Sequence, residues 1–497
     1  MFLGLDIGTS SVKGVLIDGR QRIIATASAP LTVSRPQSGW SEQNPDDWYD
    51  AFVDTVRSAL ALAGPAGEVV AISFSAGAHT PVILGEDLRP LRPAILWNDQ
   101  RSGAEATELN EKHGDRLLAS GYQRAAPTWT LAQLAWLARH EPEVVAKARH
   151  LLVAKDYLRF RVTGRLASDE VDALGTLLLD APSRAWSAEL CGFAGWPFET
   201  LPEILRSTDP AGEVSQEVAA ATGLRAGTPV IAGASDTAIE AFGAGAVRPG
   251  DGVVKLASAG TLSIITDRPH PDARVITYYH VVPGFWYQLT ATNSCASAHR
   301  WLRDLLFPGD AGDGFAEMDR LAAGVPAGSE GLLFHPYLNG ERSPYWDPDL
   351  RADFVGLTFR HRRAHLARAL YEGVAFSLRD CLGGLESVGL KMTSARIVGG
   401  GAQSGVWRQV VADVLGVEVS KPVDDDASYG AALLAGVGIG AFRDCREAVE
   451  RCVRVQERHE PDAARGRLYD EMFGLYREAQ RGLAGVSHAL GRVEILT

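Results

Sequence analysis

Lysine is scarce in this chain: only seven of the 49 basic residues are lysine, and none of the seven follows a glycine. The Gly-Lys-Ser/Thr core of a P-loop is therefore absent, and any nucleotide must be held by other means. Cysteine is scarcer still. Cys191, Cys295, Cys381, Cys445 and Cys452 are odd in number and show no Cys-x-x-Cys spacing. That excludes a disulfide framework and a paired-thiol metal or redox motif, and fits a reducing, cytoplasmic setting. Neither His-Glu-x-x-His nor Gly-x-Ser-x-Gly occurs, so the usual signatures of zinc proteases and serine esterases are missing. Long apolar runs are missing too: the Gly/Ala-rich stretch Tyr429 to Phe442 has fourteen residues, short of the roughly 18 to 20 that cross a bilayer, and a buried helix is expected there. Positive charge is in deficit. With a net charge of −12 and no basic stripe, neither a nucleic acid nor an anionic membrane is expected as partner. The opening Met1-Phe2-Leu3-Gly4-Leu5-Asp6 has no basic n-region and meets a carboxylate at once, so no signal peptide is expected.

What remains is a globular composition, 46% hydrophobic and 22% charged over 497 residues, long enough for two domains or three. Phe2 to Ile7 reads as a strand, Gly8-Thr9-Ser10-Ser11 as a turn, Val12 to Ile17 as a second strand, and Ile23-Ile24-Ala25 as a third after a turn at Asp18-Gly19. The same grammar returns at Val253 to Leu256, a turn at Ala257-Ser258-Ala259-Gly260, and Thr261 to Thr266. A repeat separated by about 250 residues suggests two related halves, with a boundary at 247–252 and domains of 1–247 and 252–497. Strands Val69 to Ser73 and Val230 to Ala232 alternate with amphipathic helices Trp48 to Leu62 and Leu131 to Arg139, which predicts an α/β fold. In the second half, Ala364 to Leu382 and Val406 to Leu415 read as helices, Arg396 to Val398 as a buried strand, and the last fifty residues as helical and charged.

Five segments carry candidate chemistry. Asp6-Ile7-Gly8-Thr9-Ser10 places a carboxylate at a strand end before a small, hydroxyl-bearing turn, whose N–H groups can cradle phosphate and whose carboxylate can serve a hard cation such as Mg²⁺; a plain tight hairpin would look the same. Ala257-Ser258-Ala259-Gly260 is its repeat. Gly399-Gly400-Gly401-Ala402-Gln403-Ser404 follows a strand and precedes a helix, where consecutive glycines admit a ligand to the backbone. Asp236, after an apolar strand, reads either as a helix N-cap or as a general base. His79, in Ser75-Ala76-Gly77-Ala78-His79-Thr80, follows another strand and reads as structural or as one of two polar groups converging on a ligand.

Together these segments resemble the FGGY family of carbohydrate kinases, within the sugar kinase, heat-shock protein 70 and actin superfamily. The resemblance runs nearly end to end, through Gly4 to Lys13, Leu91 to Asp99, Gly233 to Asp236, Tyr337 to Pro344, Glu372 to Ala375, the triple glycine and Gly430-Ala431-Ala432. His79 and the Leu91 to Asp99 and Tyr337 to Pro344 runs are most similar to its xylulokinase branch. The resemblance implies two ribonuclease H-like (actin/hexokinase-like ATPase) domains flanking a catalytic cleft, with sugar on the N-terminal domain and ATP mainly on the C-terminal one. It implies that Asp236 is the catalytic base and touches the sugar. It further implies that Asp6 helps hold Mg²⁺, that Gly8, Thr9, Ser10, Ser258, Gly400, Gly401 and Gln403 contact nucleotide, and that Ala78, His79 and Trp97 line the sugar pocket. Ala78 stands where that branch has Met, Gln133 where one family signature has Lys, and Thr237 where Asn is common. The implied reaction is phosphorylation of D-xylulose at O5. Ribulose, another polyol or gluconate as acceptor, and a non-catalytic sugar or nucleotide sensor, are the alternatives. The oligomeric state is left open, a homodimer included.

Overall fold

The computed structural model describes residues 1–20, 22–64, 67–309 and 314–493. The last four residues of the second expected domain thus lie outside the described residues. The chain forms two compact units. The first comprises Met1–Val247, Asp267–Tyr287 and Asp424–Val453, the second Arg248–Thr266, Gln288–Val423 and Arg454–Thr497. Two segments that a single cut near 250 assigns to the second half, 267–287 and 424–453, therefore group with the first.

The first unit is built on β1 (Phe2–Ile7), β2 (Ser11–Ile17), β3 (Ile23–Pro30), β4 (Ala71–Ala76), β5 (Pro210–Glu213) and β6 (Pro229–Ser235), in the sheet order β5-β6-β4-β1-β2-β3. β1, β2 and β3 form an antiparallel meander, as the hairpin grammar predicts, with Leu5 opposite Gly14 and Lys13 opposite Ser28. β4 joins β1 in parallel, and β6 joins β4 in parallel. Every residue of β4 is buried, as a central parallel strand requires. Helix Pro45–Ala63, capped by the Asn44 side chain, packs on β2 and β3 and buries Trp48, Phe52 and Val56; each such side chain is worth roughly 1.5–3 kcal/mol. The apolar stretch near residue 430 is helix Ala427–Gly438, buried from Ala427 to Gly436 and packed on β1 and β4.

The second unit repeats the plan with β7 (Asp251–Leu256), β8 (Gly260–Thr266), β9 (Trp286–Thr292), β10 (Ser394–Val398), β11 (Val419–Pro422) and β12 (Val455–His459), in the order β9-β8-β7-β10-β11-β12. β7 and β8 are antiparallel, β10 is parallel to β7 and to β11, and β12 closes the edge antiparallel to β11. Over these six of the sheet's seven strands the order is that of the first sheet: an antiparallel hairpin, two parallel strands, then an antiparallel edge. Helix Arg363–Glu386 is buried without a break from Ala367 to Leu378. Among the described residues no helix is long and apolar enough to cross a membrane.

Candidate active site

In the first unit β1, β4 and β6 lie side by side and run parallel. Asp6 near the end of β1, Gly77-Ala78-His79 after β4 and Asp236 after β6 thus leave from one edge of the sheet, the carboxyl edge where open α/β sheets gather their ligands. The delivery of Asp236 depends on a bulge. Ile231 pairs with Ser73 and Ala234 with Ser75, so that Ala232 and Gly233 together face Phe74. Gly233 has φ +77°, and a Cβ there would fall 2.0 Å from the Phe74 carbonyl oxygen; only glycine fits. Beyond it, helix Asp236–Gly243 starts with Ser235 as the capping residue and Asp236 at the first helical position. The Asp236 carboxylate is half-buried and, among the described residues, accepts bonds from the next residue alone, from Thr237 N–H at 2.7 Å and the Thr237 hydroxyl at 3.3 Å. That is not the bond to the second or third helical N–H of an N-cap.

His79 is buried with φ +47°, a left-handed backbone uncommon for a non-glycine residue. Its Nε2 lies 3.2 Å from the Tyr278 hydroxyl and its ring stands edge-on to Trp129 at 4.5 Å. Burial pushes the imidazole down to about 3, so it is neutral at pH 7. Ala78 is half-buried beside it. Trp97 is 47% exposed and its indole N–H donates to the Thr9 hydroxyl at 3.1 Å. Two residues to which the resemblance gives different ligands are thus tied to each other. Gly8, Thr9, Gly77 and Trp97 line a hollow of about 20 Å³, room for about one water. Ser10 is exposed on the same turn. Lys13, directly opposite Asp6 on β2, pairs with Asp426 at 2.6 Å. Burial pushes the Asp426 carboxyl up, but Lys13 and Ser428 outweigh it and hold the group below its usual range.

In the second unit β7 and β10 run parallel, so Ser258 after β7 and Gly400, Gly401 and Gln403 after β10 leave from one edge. Gly399, with φ +88°, turns the chain where a Cβ would lie 2.9 Å from the Leu256 carbonyl oxygen, whereas a Cβ on Gly400 would meet nothing within 4 Å. Gly400, Gly401 and Gln403 line a cavity of about 430 Å³ whose other wall includes His299, Arg300, Phe315 and Asp319, within the size range of small-molecule sites. Tyr371 stacks on Trp407 at 4.9 Å, donates its hydroxyl to Asp319, and lies 3.1 Å from His299 Nε2. Burial pushes His299 down to about 4. Ser258 is exposed on the neighbouring turn, its carbonyl accepting from the Ser297 hydroxyl at 2.7 Å.

Two of the family-like runs do structural work. Asp99 is fully buried and accepts from the Ser41 N–H and from the Arg101 guanidinium. Glu341 is buried and accepts from Thr292, Asn293, Arg342 and Ser377, and burial raises its pKa. Gln133 is buried and donates to the Leu96 carbonyl at 3.1 Å. Tyr278, Asp426 and the four residues facing the triple glycine were not singled out from the sequence, because each comes from an element remote in the chain from the motif it meets.

Two sheets of one strand order, each presenting ligand-type loops at the carboxyl edge, define an ATPase of the two-domain actin/hexokinase type. The FGGY family of carbohydrate kinases matches the chain with its N-terminal domain over residues 1–243 and its C-terminal domain over residues 257–439, and the chain belongs to this family of ATP-dependent sugar kinases. It is 32% identical to a xylulose kinase of Bacillus subtilis strain 168, over 96% of this chain and 95% of the relative. It is 33% identical to a xylulose kinase of Escherichia coli K12, over 97% and 99%. The crystal structure of xylulose kinase from Rhodospirillum rubrum matches with a TM-score of 0.91 at 32% identity, over 98% and 99% of the two chains.

Proposed function

We propose that this kinase transfers the γ-phosphoryl group of ATP to O5 of D-xylulose, giving D-xylulose 5-phosphate and ADP. The observation that carries the reading is the shared edge of β1, β4 and β6, where Asp6, His79 and Asp236 leave three adjacent parallel strands. Asp236 accepts the hydroxyl proton as O5 attacks the γ-phosphorus and the bond to the β–γ bridging oxygen breaks. The proton then passes to solvent. A half-buried carboxylate whose bonds are only local is placed for that exchange. His79 is neutral and held at Nε2 by Tyr278, which leaves Nδ1 as the ring atom to meet a sugar hydroxyl. Trp97 forms the wall of the sugar pocket beside Ala78. The nucleotide occupies the cavity of the second unit against Gly400, Gly401 and Gln403, with Ser258 on the neighbouring turn at its phosphates.

A divalent cation belongs to this chemistry, and the residues fit Mg²⁺. Asp6 and the hydroxyls of Thr9 and Ser10 offer only oxygen donors; a single protein carboxylate suits an ion that keeps waters and substrate phosphates as its other ligands. When bound, Mg²⁺ neutralises charge on the β- and γ-phosphates. The test is kcat/KM with ATP across D-xylulose, L-ribulose, gluconate and glycerol. A preference for D-xylulose of tenfold or more, about 1.4 kcal/mol of transition-state discrimination, is expected. The same preference for another acceptor overturns the substrate assignment.

A further inference from the structure

Beneath the candidate site lies a group of five charged side chains with almost no solvent contact. Lys155 Nζ is 2.5 Å from Asp156, 2.7 Å from Asp169 and 3.4 Å from Asp172, and Arg159 is 3.1 Å from Asp156. The three carboxylates lie within 4.8 Å of one another, the spacing of a metal site, but the Lys155 ammonium already stands among them. Nor is the cluster explained by stability, because buried ion pairs gain little or nothing over apolar packing of the same volume. What it does supply is direction. The Arg159 guanidinium forks, donating at 2.7 Å to the Ala232 carbonyl and at 2.5 Å to the Ala167 carbonyl, and Lys155 approaches the same Ala232 oxygen at 3.4 Å. Ala232 is the first residue of the bulge whose second is Gly233, and three residues further on the chain delivers Asp236. The Ala232 and Gly233 amides are tied in turn, to the Asp209 and Ser207 carbonyls at 3.0 Å each.

The cluster also reaches the other side of the site. Asp169 caps helix Glu170–Gly175, and Gly175 at the far end lies so close to His79 and Tyr278 that a Cβ would come within 2.5 Å and 3.1 Å of their rings. Burial, with Asp169 adding to it, raises Asp172 well above the usual carboxyl range. We propose that the Lys155–Arg159 cluster is a positioning centre for phosphoryl transfer: through the Ala232 carbonyl it fixes the bulge that aims Asp236, and through helix Glu170–Gly175 it fixes the wall that carries His79. This rests on the reading of Asp236 as the base.

Arg159→Lys tests it, since it keeps the charge but cannot fork to two carbonyls. In protein shown to be folded by melting, kcat for sugar phosphorylation falls at least tenfold while KM for ATP stays within twofold. In the Asp236→Asn background the same change adds less than a further twofold, because both act at one atom. Arg161→Lys, two residues on in an exposed pair with Asp46, leaves kcat unchanged. Should Arg159→Lys fail to fold, Ser168→Ala removes the single 2.6 Å bond to Asp156, with a threefold or larger loss of kcat expected and the same non-additivity. Unchanged kcat in the folded variant, or losses that multiply in full with Asp236→Asn, overturns the positioning role and leaves the base assignment standing. An Asp236→Asn enzyme within tenfold of the parent defeats the base assignment, and the positioning proposal with it.

Discussion

Tyr278 is the residue that most changes how the sugar pocket reads. It lies 199 positions from His79 in the chain, yet its hydroxyl fixes His79 Nε2. A neutral hydrogen bond contributes about 0.5–1.5 kcal/mol net, and here the bond orients a side chain rather than touching the reacting atoms. Tyr278→Phe should therefore raise KM for the sugar about two- to twelvefold and leave kcat within threefold. Steady-state kinetics with sugar varied at saturating ATP measures this. A loss confined to kcat would place Tyr278 in the chemical step instead. The sequence marked His79 through its setting after a strand, but no local pattern marks Tyr278. Lys155 and Arg159 illustrate the same limit. Neither was singled out from the sequence, because only the fold turns them inward onto a carbonyl from another strand.

At the scale of elements, the turn after β10 separates two uses of glycine that the triple repeat runs together. Gly399 is demanded by the backbone, whereas Gly400 faces open space on the cavity wall. Gly400→Val should consequently leave the melting temperature within about 2 °C and raise KM for ATP tenfold or more, with sugar affinity unchanged. Parallel melting and calorimetry check it, and unaltered ATP affinity would remove the loop from the nucleotide site. Most elements were legible. The hairpins β1–β2 and β7–β8 follow from apolar runs broken by small turn residues, and helix Pro45–Ala63 from its amphipathic spacing. The strand expected at Val69 to Ser73 lies at Ala71–Ala76, where the ladder with β1 sets its bounds. β12 was missed: Val455–His459 is polar, with three of its five residues exposed, so an edge strand left no apolar period inside a segment that read as helical. The joining of 267–287 and 424–453 to the first unit is tertiary and leaves no local signal.

Across the whole molecule, buried histidines link stability to pH. Burial pushes His79 and His280 down to about 3 and His299 to about 4, whereas in the unfolded chain a histidine titrates near 6.5. Above pH 6.5 both states are neutral and the contribution is fully present. Below it the unfolded chain binds protons that the folded chain refuses, so each histidine removes about 1.4 kcal/mol of stability per pH unit until its folded value is reached. Urea unfolding from pH 7 to 4.5 should show falling stability. His280→Gln should make the fall shallower, and an unchanged slope would contradict this.

The central claim is that two repeated sheets hold a sugar hydroxyl and a nucleotide for phosphoryl transfer. Its most direct test is ³¹P NMR of the enzyme with ATP, Mg²⁺ and D-xylulose. The account predicts one phosphomonoester for each ADP formed, its phosphorus coupled to the C5 protons of the sugar, and a signal that builds at least about a hundredfold more slowly when Asp236 is replaced by Asn. Release of inorganic phosphate without a sugar ester, or an ester that forms equally well in the Asp236→Asn enzyme, would contradict it.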